Sequence, residues 1–363
     1  MRGLLALVVA ATFACPALAA DWPAERARLV EAAEKEGTLT VFALPNPRTR
    51  EFVLREWAQA FPKIALQATV LDQNPFIARI RTERSAEKYL WDVAFSGHPA
   101  GYVLAKEGAL DPLLPELVDP EVNDPAVWGG WEQAFVDEGA KYVFSMSAYL
   151  ASGSYNALMV PPEKAERLGP RVMLEPEYKG KAIWHDPLSP GAGKTQSFFV
   201  RRALGDDGLR KLILEQKVTI VAQQHQVVEA VARGTAYFGL GPPVKMLMAP
   251  YVQAGVKADV RTFGREPGRA VLTHGGQTLY IFNKQPHPNA TRLFVNWILT
   301  KDIQTKMAEV TTQGSRRHDV PPVGDPELVP IAGAAYDAPQ RESYQAKLDA
   351  TGDMVRELLR EAK

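Results

Sequence analysis

Residues Asp186 to Gln196 read "DPLSPGAGKTQ", and the closing Gly193-Lys194-Thr195 is how a nucleotide-binding phosphate loop ends. That loop needs another glycine five residues before its last one, where bare backbone wraps the phosphates. Counting back from Gly193 gives Leu188, whose branched side chain would fill the cradle. The flanks still read as a strand, "KGKAIWHD", and a helix, "KTQSFFVRRAL". What survives is the chemistry of a helix N-terminus. Ser189 offers a hydroxyl, and Gly191, Ala192 and Gly193 offer backbone N–H groups at the positive end of the helix dipole. Such a site suits a carboxylate, phosphonate or phosphate. An ordinary strand-to-helix turn is the competing reading, and Lys194 either adds a charge or points to solvent.

Other candidate ligand groups stand at the ends of predicted strands. Ser96 and Gly97 pair a hydroxyl with an unobstructed N–H, and His98 follows as an imidazole that either meets an anion or faces water. Asn46 and Thr49 offer polar side chains beside the first strand, with N-capping of the next helix as their rival role. Gln73 lies in the loop "DQN", His225 in "QQHQ" and Gly241 in "GPP". Trp128 and Trp131 are candidates for stacking on an aromatic solute, although such tryptophans more often pack on a sheet. Arg316 and Arg317 offer guanidinium forks for a carboxylate or phosphonate, against a surface or ion-paired role. The six histidines show no H-x-x-x-H pairing, and the one cysteine is Cys15, so no metal site is expected. Neither a G-x-S-x-G elbow nor H-E-x-x-H occurs, so no catalytic residue is assigned, and no cofactor is expected.

The elements that must position these groups alternate. "AERARLVEAAEKEG" reads as an amphipathic helix ending at Gly37, followed by the strand "TLTVFAL" and the helix "TREFVLREWAQAF". "KIALQATV", "PFIARIRTERSA" and "WDVAFS" continue the strand–helix–strand pattern. Prolines then interrupt it between Asp111 and Pro125. "YVFSMSAYLAS" and "YNALMV" read as strands, and a second series runs through "KAIWHD", "KVTIVA", "VVEAVARG", "TAYFGLG" and the helix "VKMLMAPYVQAG" to "DVRTFG" and "QTLYIF". Three helices close the chain. Two strand–helix series joined by extended segments imply an α/β protein of two lobes with a cleft between them. Ligands of open α/β sheets sit off the carboxyl ends of strands, where the loops above lie.

The first 20 residues carry Arg2, an apolar run from Gly3 to Ala14, and Ala17-Leu18-Ala19 as a small-x-small cleavage site, the pattern of a secretory signal peptide. Cleavage is expected after Ala19 or Ala20. A lipoprotein would instead acylate Cys15, but "TFA" before it lacks the usual upstream leucine. Lysine plus arginine equals aspartate plus glutamate at 42 each, so no basic excess points to nucleic acid.

Taken in order, these stretches resemble the type II periplasmic substrate-binding proteins of ABC importers (extracellular solute-binding family 1). The group is the one handling ferric iron, thiamine, polyamines and aminoalkylphosphonates. The resemblance rests on "GTLTVFAL", "WDVAFSG" with "AKEGALDPL", "SYNALMV", "YKGKAIWHDPLSPGAG", "VVEAVARGTAYFGLG", "HPNATRLFVNWILTKDIQTKMAE" and "GSRRHDVP". It implies a two-lobed Venus flytrap with two extended hinge crossings, Tyr155 beside the first and Gly275-Gly276 at the second. The signal peptide would span 1–20, lobe 1 residues 21–148 and 274–322, and lobe 2 residues 149–273. C-terminal helices over 323–363 would pack mainly on lobe 2. The implied function is capture of a small polar, anionic organic solute in the periplasm. A monomer would deliver it to an inner-membrane permease with its ATPase. Ferric cargo is the alternative within the family, and a secreted hydrolase the alternative outside it. Iron-binding members carry adjacent tyrosines where this chain has Gly241-Pro242-Pro243, between Tyr237 and Tyr251.

Overall fold

The computed structural model describes residues 22–43 and 47–362. The expected signal peptide, Cys15 and Asn46 lie outside the described residues. The chain opens with α1 (Trp22–Glu36), β1 (Thr38–Ala43), α2 (Pro47–Ala60), β2 (Ala65–Val70), α3 (Gln73–Ser85), β3 (Val93–Ser96) and α4 (His98–Lys106). Then come β4 (Leu110–Asp111), the one-turn α5 (Trp131–Ala134), β5 (Phe144–Ser145) and β6 (Tyr149–Ala151). The middle supplies β7 (Ser154–Asn156), α6 (Pro162–Leu168), β8 (Ala182–His185), α7 (Ala192–Leu214), β9 (Thr219–Val221) and α8 (Gln224–Ala232). It continues with β10 (Phe238–Leu240), α9 (Ala249–Gln253), β11 (Val260–Thr262) and β12 (Val271–Thr273). The chain closes with β13 (Thr278–Phe282), α10 (Pro288–Ile298), α11 (Lys301–Thr311) and α12 (Gln345–Glu361).

These strands form two main sheets and a connecting ribbon. One sheet runs β2-β1-β3-β13-β4, with β5 also paired to β13; β1 is parallel to β2 and β3, and β13 is antiparallel to β3. The other runs β11-β7-β10-β8-β9, parallel through β10, β8 and β9 and antiparallel at β7. Between them β6 and β12 pair antiparallel, Leu150 opposite Leu272, and form two extended crossings.

Both faces of the first sheet are covered, so its strands are apolar on alternate sides. Val93, Phe95, Leu279 and Ile281 join the core beneath α2 and α10 with Trp57 and Phe294. Phe42, Ala94, Tyr280 and Phe282 join the core on the other face with Phe76 from α3. Burying each large apolar side chain of this kind contributes ~1.5–3 kcal/mol. In the second sheet the long α7 and the C-terminal α12 share one core through Phe199, Leu209, Leu348 and Val355.

Some sequence expectations need correction. The strand predicted over 142–152 is two short strands, because β5 pairs within the first sheet and β6 belongs to the ribbon. The strand read in "YNALMV" stops at Asn156, whose side-chain oxygen accepts the Leu158 N–H at 3.0 Å and turns the chain. The helix expected at "VKMLMAPYVQAG" breaks into a 3₁₀ turn (Val244–Leu247) and α9, with Pro250 in the first turn of α9. "QQHQ" is not a loop but the start of α8, where Gln226 Oε1 accepts the Gln223 N–H at 3.2 Å.

Candidate functional site

A cavity of about 480 Å³ lies between the two main sheets, with residues of both lining it. Four helices begin at its wall. Asp72 and Gln73 open α3; Gly97, His98 and Pro99 open α4; Gly191, Ala192, Thr195 and Gln196 open α7; Gln224 opens α8. Two of these helices belong to each sheet. Each N-terminus carries a partial positive charge of about half a unit, from N–H groups with no partner in the preceding turn. Four such ends around one space make a field that favours negative charge.

The α3 and α4 ends are locked together. Gln73 Oε1 accepts the Ala100 N–H at 3.0 Å, which claims one of the donors at the start of α4. His98 is buried beside Tyr102, ring centres 5.4 Å apart, and burial pushes its pKa down to about 3. It is therefore a neutral imidazole, able to donate from one nitrogen.

On the facing side, Gly191 takes φ +75 just before α7, a turn that suits glycine. Ser189 does not reach the cavity wall; its hydroxyl donates to the Asp186 carbonyl at 2.8 Å. Gly193 is packed so closely on Asp186 O and Ser189 Oγ that no Cβ fits there. The Lys194 N–H donates to Ser189 O and the Thr195 N–H to Gly191 O, both at 3.0 Å. Among the described residues, that leaves the Ala192 and Gly193 amides as the unclaimed donors of the first turn. Lys194 reaches away to Asp349 at 3.0 Å, so it is no phosphate-loop lysine.

The hinge ribbon and the C-terminal segment complete the wall. Gln340 Oε1 accepts from Thr273 Oγ1 at 2.9 Å and from the His274 N–H at 2.7 Å. Gly275 and Gly276 have φ +57 and +79, and a Cβ on Gly275 would stand 2.6 Å from the Tyr149 ring. Asp72 and Lys245 are the charged residues of the described lining, and Asp72 is exposed. Lys245 is neutralised by Asp325 at 2.9 Å and Glu327 at 2.8 Å. The remaining polar lining is uncharged, with glutamines at 73, 196, 224, 313 and 340.

The structure thus gathers Gln73, Gly97, His98, Gly191, Ala192, Gly241, Gly275 and Gly276 around one cavity. It places other expected residues elsewhere. Ser96 is wholly buried with its hydroxyl facing Tyr280. Tyr155 points into the core, stacked on Phe263 at 5.7 Å, while its strand neighbour Ser154 meets the cavity. His225 is exposed, and the adjacent Gln224 takes the wall position. Ser189 and Gly193 shape the loop from behind. Thr49 borders a small separate pocket shared with Gly275 and Gly276. Trp128 is a core residue, its Nε1 donating to Val122 O at 2.9 Å. Sequence reasoning missed Thr195, Gln196, Thr262, Gln313 and Gln340. Of these only Thr195 and Gln196 carried a signal, being part of "GAGKTQ".

No known family profile matches the chain, and no curated protein does. Solved structures do. Iron-bound HitA from Pseudomonas aeruginosa superposes with a TM-score of 0.64 at 17% identity, over 88% of this chain and 99% of that one. The spermidine/putrescine substrate-binding protein PotD from Streptococcus pneumoniae gives 0.65 at 14% identity, over 90% and 99%. AfuA from Actinobacillus pleuropneumoniae, with fructose-6-phosphate bound, gives 0.58 at 16% identity, over 88% and 99%. These are transport binding proteins rather than enzymes. The chain has the two-lobed α/β fold of the periplasmic substrate-binding proteins that serve ABC importers.

Proposed function

We propose that the protein is the periplasmic solute-binding component of an ABC importer and that its cargo is a small anionic organic solute. The observation that carries this reading is the convergence of four helix N-termini, two from each sheet, on one cavity. The lobes, taken as residues 21–148 with 274–322 and residues 149–273, would close about the β6–β12 ribbon. Closure brings the Ala192 amide, the His98 imidazole and the glutamine amides onto the carboxylate, phosphonate or phosphate of the guest. The closed monomer would then dock on an inner-membrane permease with its ATPase. Among the described residues no helix is long and apolar enough to cross a membrane. Export by the predicted signal peptide would place the protein in the periplasm.

The same wall disfavours the rival cargoes. A polyamine needs carboxylates, and Asp72 at the rim is the one carboxylate of the described lining. Ferric iron needs ionised phenolates. Tyr149 is the one tyrosine of that lining, and burial pushes its pKa up to about 12.

Isothermal titration of ligand-free protein with sugar phosphates, phosphonates, dicarboxylates, spermidine and ferric citrate tests the proposal. Binding to a member of the anionic classes, weakened in Gln73→Ala, is expected. Binding to spermidine alone would refute it.

A further inference from the structure

Behind the β6–β12 ribbon lies a second and larger cavity, about 860 Å³, with Tyr149 as a wall common to both. It is bounded by the 312–323 stretch after α11 and by the C-terminal segment 328–344. Its described lining contains three arginines and a histidine and no aspartate or glutamate. Arg317 is already satisfied, bonded to Asp319 through Nε at 2.9 Å and Nη2 at 3.0 Å. Arg316 and Arg341 are not. Arg316 is 8% exposed, and its Nε has no hydrogen-bond partner. Among the described residues neither guanidinium has an ion-pair partner. Both turn to the neutral Gln133, whose Oε1 lies 3.0 Å from Arg316 Nη2 and 3.2 Å from Arg341 Nη2 and whose backbone O lies 3.3 Å from Arg341 Nη2.

Burying two like charges side by side against one neutral residue is costly, because each loses hydration without gaining a counter-charge. Burial, and then the repulsion of Arg341, lowers the pKa of Arg316 to about 10. Glu132 attracts Arg341 only from beyond ion-pair distance. The arrangement is completed by an anion with two or more oxygens that bridges the guanidinium groups of Arg316 and Arg341. The space exceeds that of a bare ion, so it suits an oxyanion carried on an organic body.

We propose that this rear cavity is a second anion site, in which Arg316 of the first lobe and Arg341 of the C-terminal segment hold the carboxylate or phosphate of a small organic molecule. The bound anion would fasten the C-terminal segment across the back of the hinge. This inference does not depend on the cargo of the front cleft.

Citrate and inorganic phosphate, titrated calorimetrically into full-length mature protein dialysed free of oxyanions, are the probes. Citrate is expected to bind the wild type and to raise its melting temperature. Arg316→Gln and Arg341→Gln should each weaken citrate by at least about tenfold, and Arg341→Lys by less, since it keeps charge but not the fork. Half-buried Arg341 is a substitution the fold should tolerate. Lys306→Ala, which removes an exposed cation of α11 outside both cavities, should bind citrate like the wild type, which separates the rear site from general surface charge. Citrate affinity unchanged in both Arg→Gln variants would overturn the proposal. So would the absence of any binding to the wild type at about 10 mM of either probe, a concentration that detects Kd values in the millimolar range.

Discussion

The side-chain amide of Gln73 lies across the bare face of Gly97: a Cβ on Gly97 would stand 2.6 Å from Gln73 Nε2, while Gln73 Oε1 holds the Ala100 N–H. The absence of a side chain at one helix start thus lets a residue of another helix cap it. Gly97→Ala should displace the flexible amide rather than the backbone, so its cost to stability is about 1 kcal/mol, the size of one lost hydrogen bond. Its effect on solute affinity should be larger, about tenfold or more, because two of the four converging N-termini move apart. Calorimetric titration beside a thermal melt separates the two effects.

His98 and His274 give the fold an acid limit. Burial pushes His98 down to about 3, and His274 well below its ordinary value by burial and then by the nearby Arg316. The unfolded chain protonates both near pH 6.5, and the folded chain does not. Stability from these groups is therefore full above about pH 6.5 and falls as the pH drops towards 3, by up to ~1.4 kcal/mol per unit for His98. Urea unfolding of wild type and His98→Gln at pH 7 and pH 4.5 checks this. The gap between the two proteins should shift in favour of the variant at the lower pH.

Neighbouring arginines should answer substitution in opposite ways. Arg317 is 2% exposed; it grips Asp319, donates to Leu299 O at 2.9 Å and lies over the Trp128 ring at 5.2 Å. Arg317→Ala removes all of these and should cost about 3 kcal/mol. Arg316→Gln removes a buried charge with no counter-ion and should cost less than about 1 kcal/mol in oxyanion-free buffer. Chemical denaturation of the two variants reads the contrast directly.

Much of this was legible in the sequence, because the alternating apolar runs of "TLTVFAL" and "WDVAFS" can be buried only in a sheet covered on both faces. The αβ punctuation at Gly37 and in "SPGAG" marked a helix stop and a helix start by backbone chemistry alone. Side-chain direction was less legible. Ser96, Tyr155 and His225 each lie one residue from a cavity-lining neighbour (Gly97, Ser154 and Gln224), since a single step along a strand or helix turns a side chain to another face. Gln313 and Gln340 carried no local signal. Gln340 reaches the cleft because the C-terminal segment crosses the back of the ribbon, where Leu272 N–H donates to Asp337 O at 2.8 Å, and Gln313 because the turn after α11 packs against Gly275.

That crossing depends on Glu327, whose carboxylate accepts from Thr262 N and Oγ1 at 2.8 and 2.9 Å and pairs with Lys245 at 2.8 Å. Glu327→Gln should cost about 1–2 kcal/mol, the pair being partly solvent-screened while the Thr262 N–H loses a charged acceptor. Limited proteolysis should show faster cutting between residues 322 and 341, with the rest of the chain protected.

The central claim is that helix N-termini of both lobes close on one anionic guest. Small-angle X-ray scattering of ligand-free protein, titrated with the tightest-binding anion from the calorimetric panel, tests it most directly. A decrease in radius of gyration that saturates with the calorimetric binding curve, and that is lost in Gly97→Ala at the same guest concentration, is the predicted result. A radius unchanged at full occupancy, or a decrease produced by spermidine and by none of the anions, would contradict it.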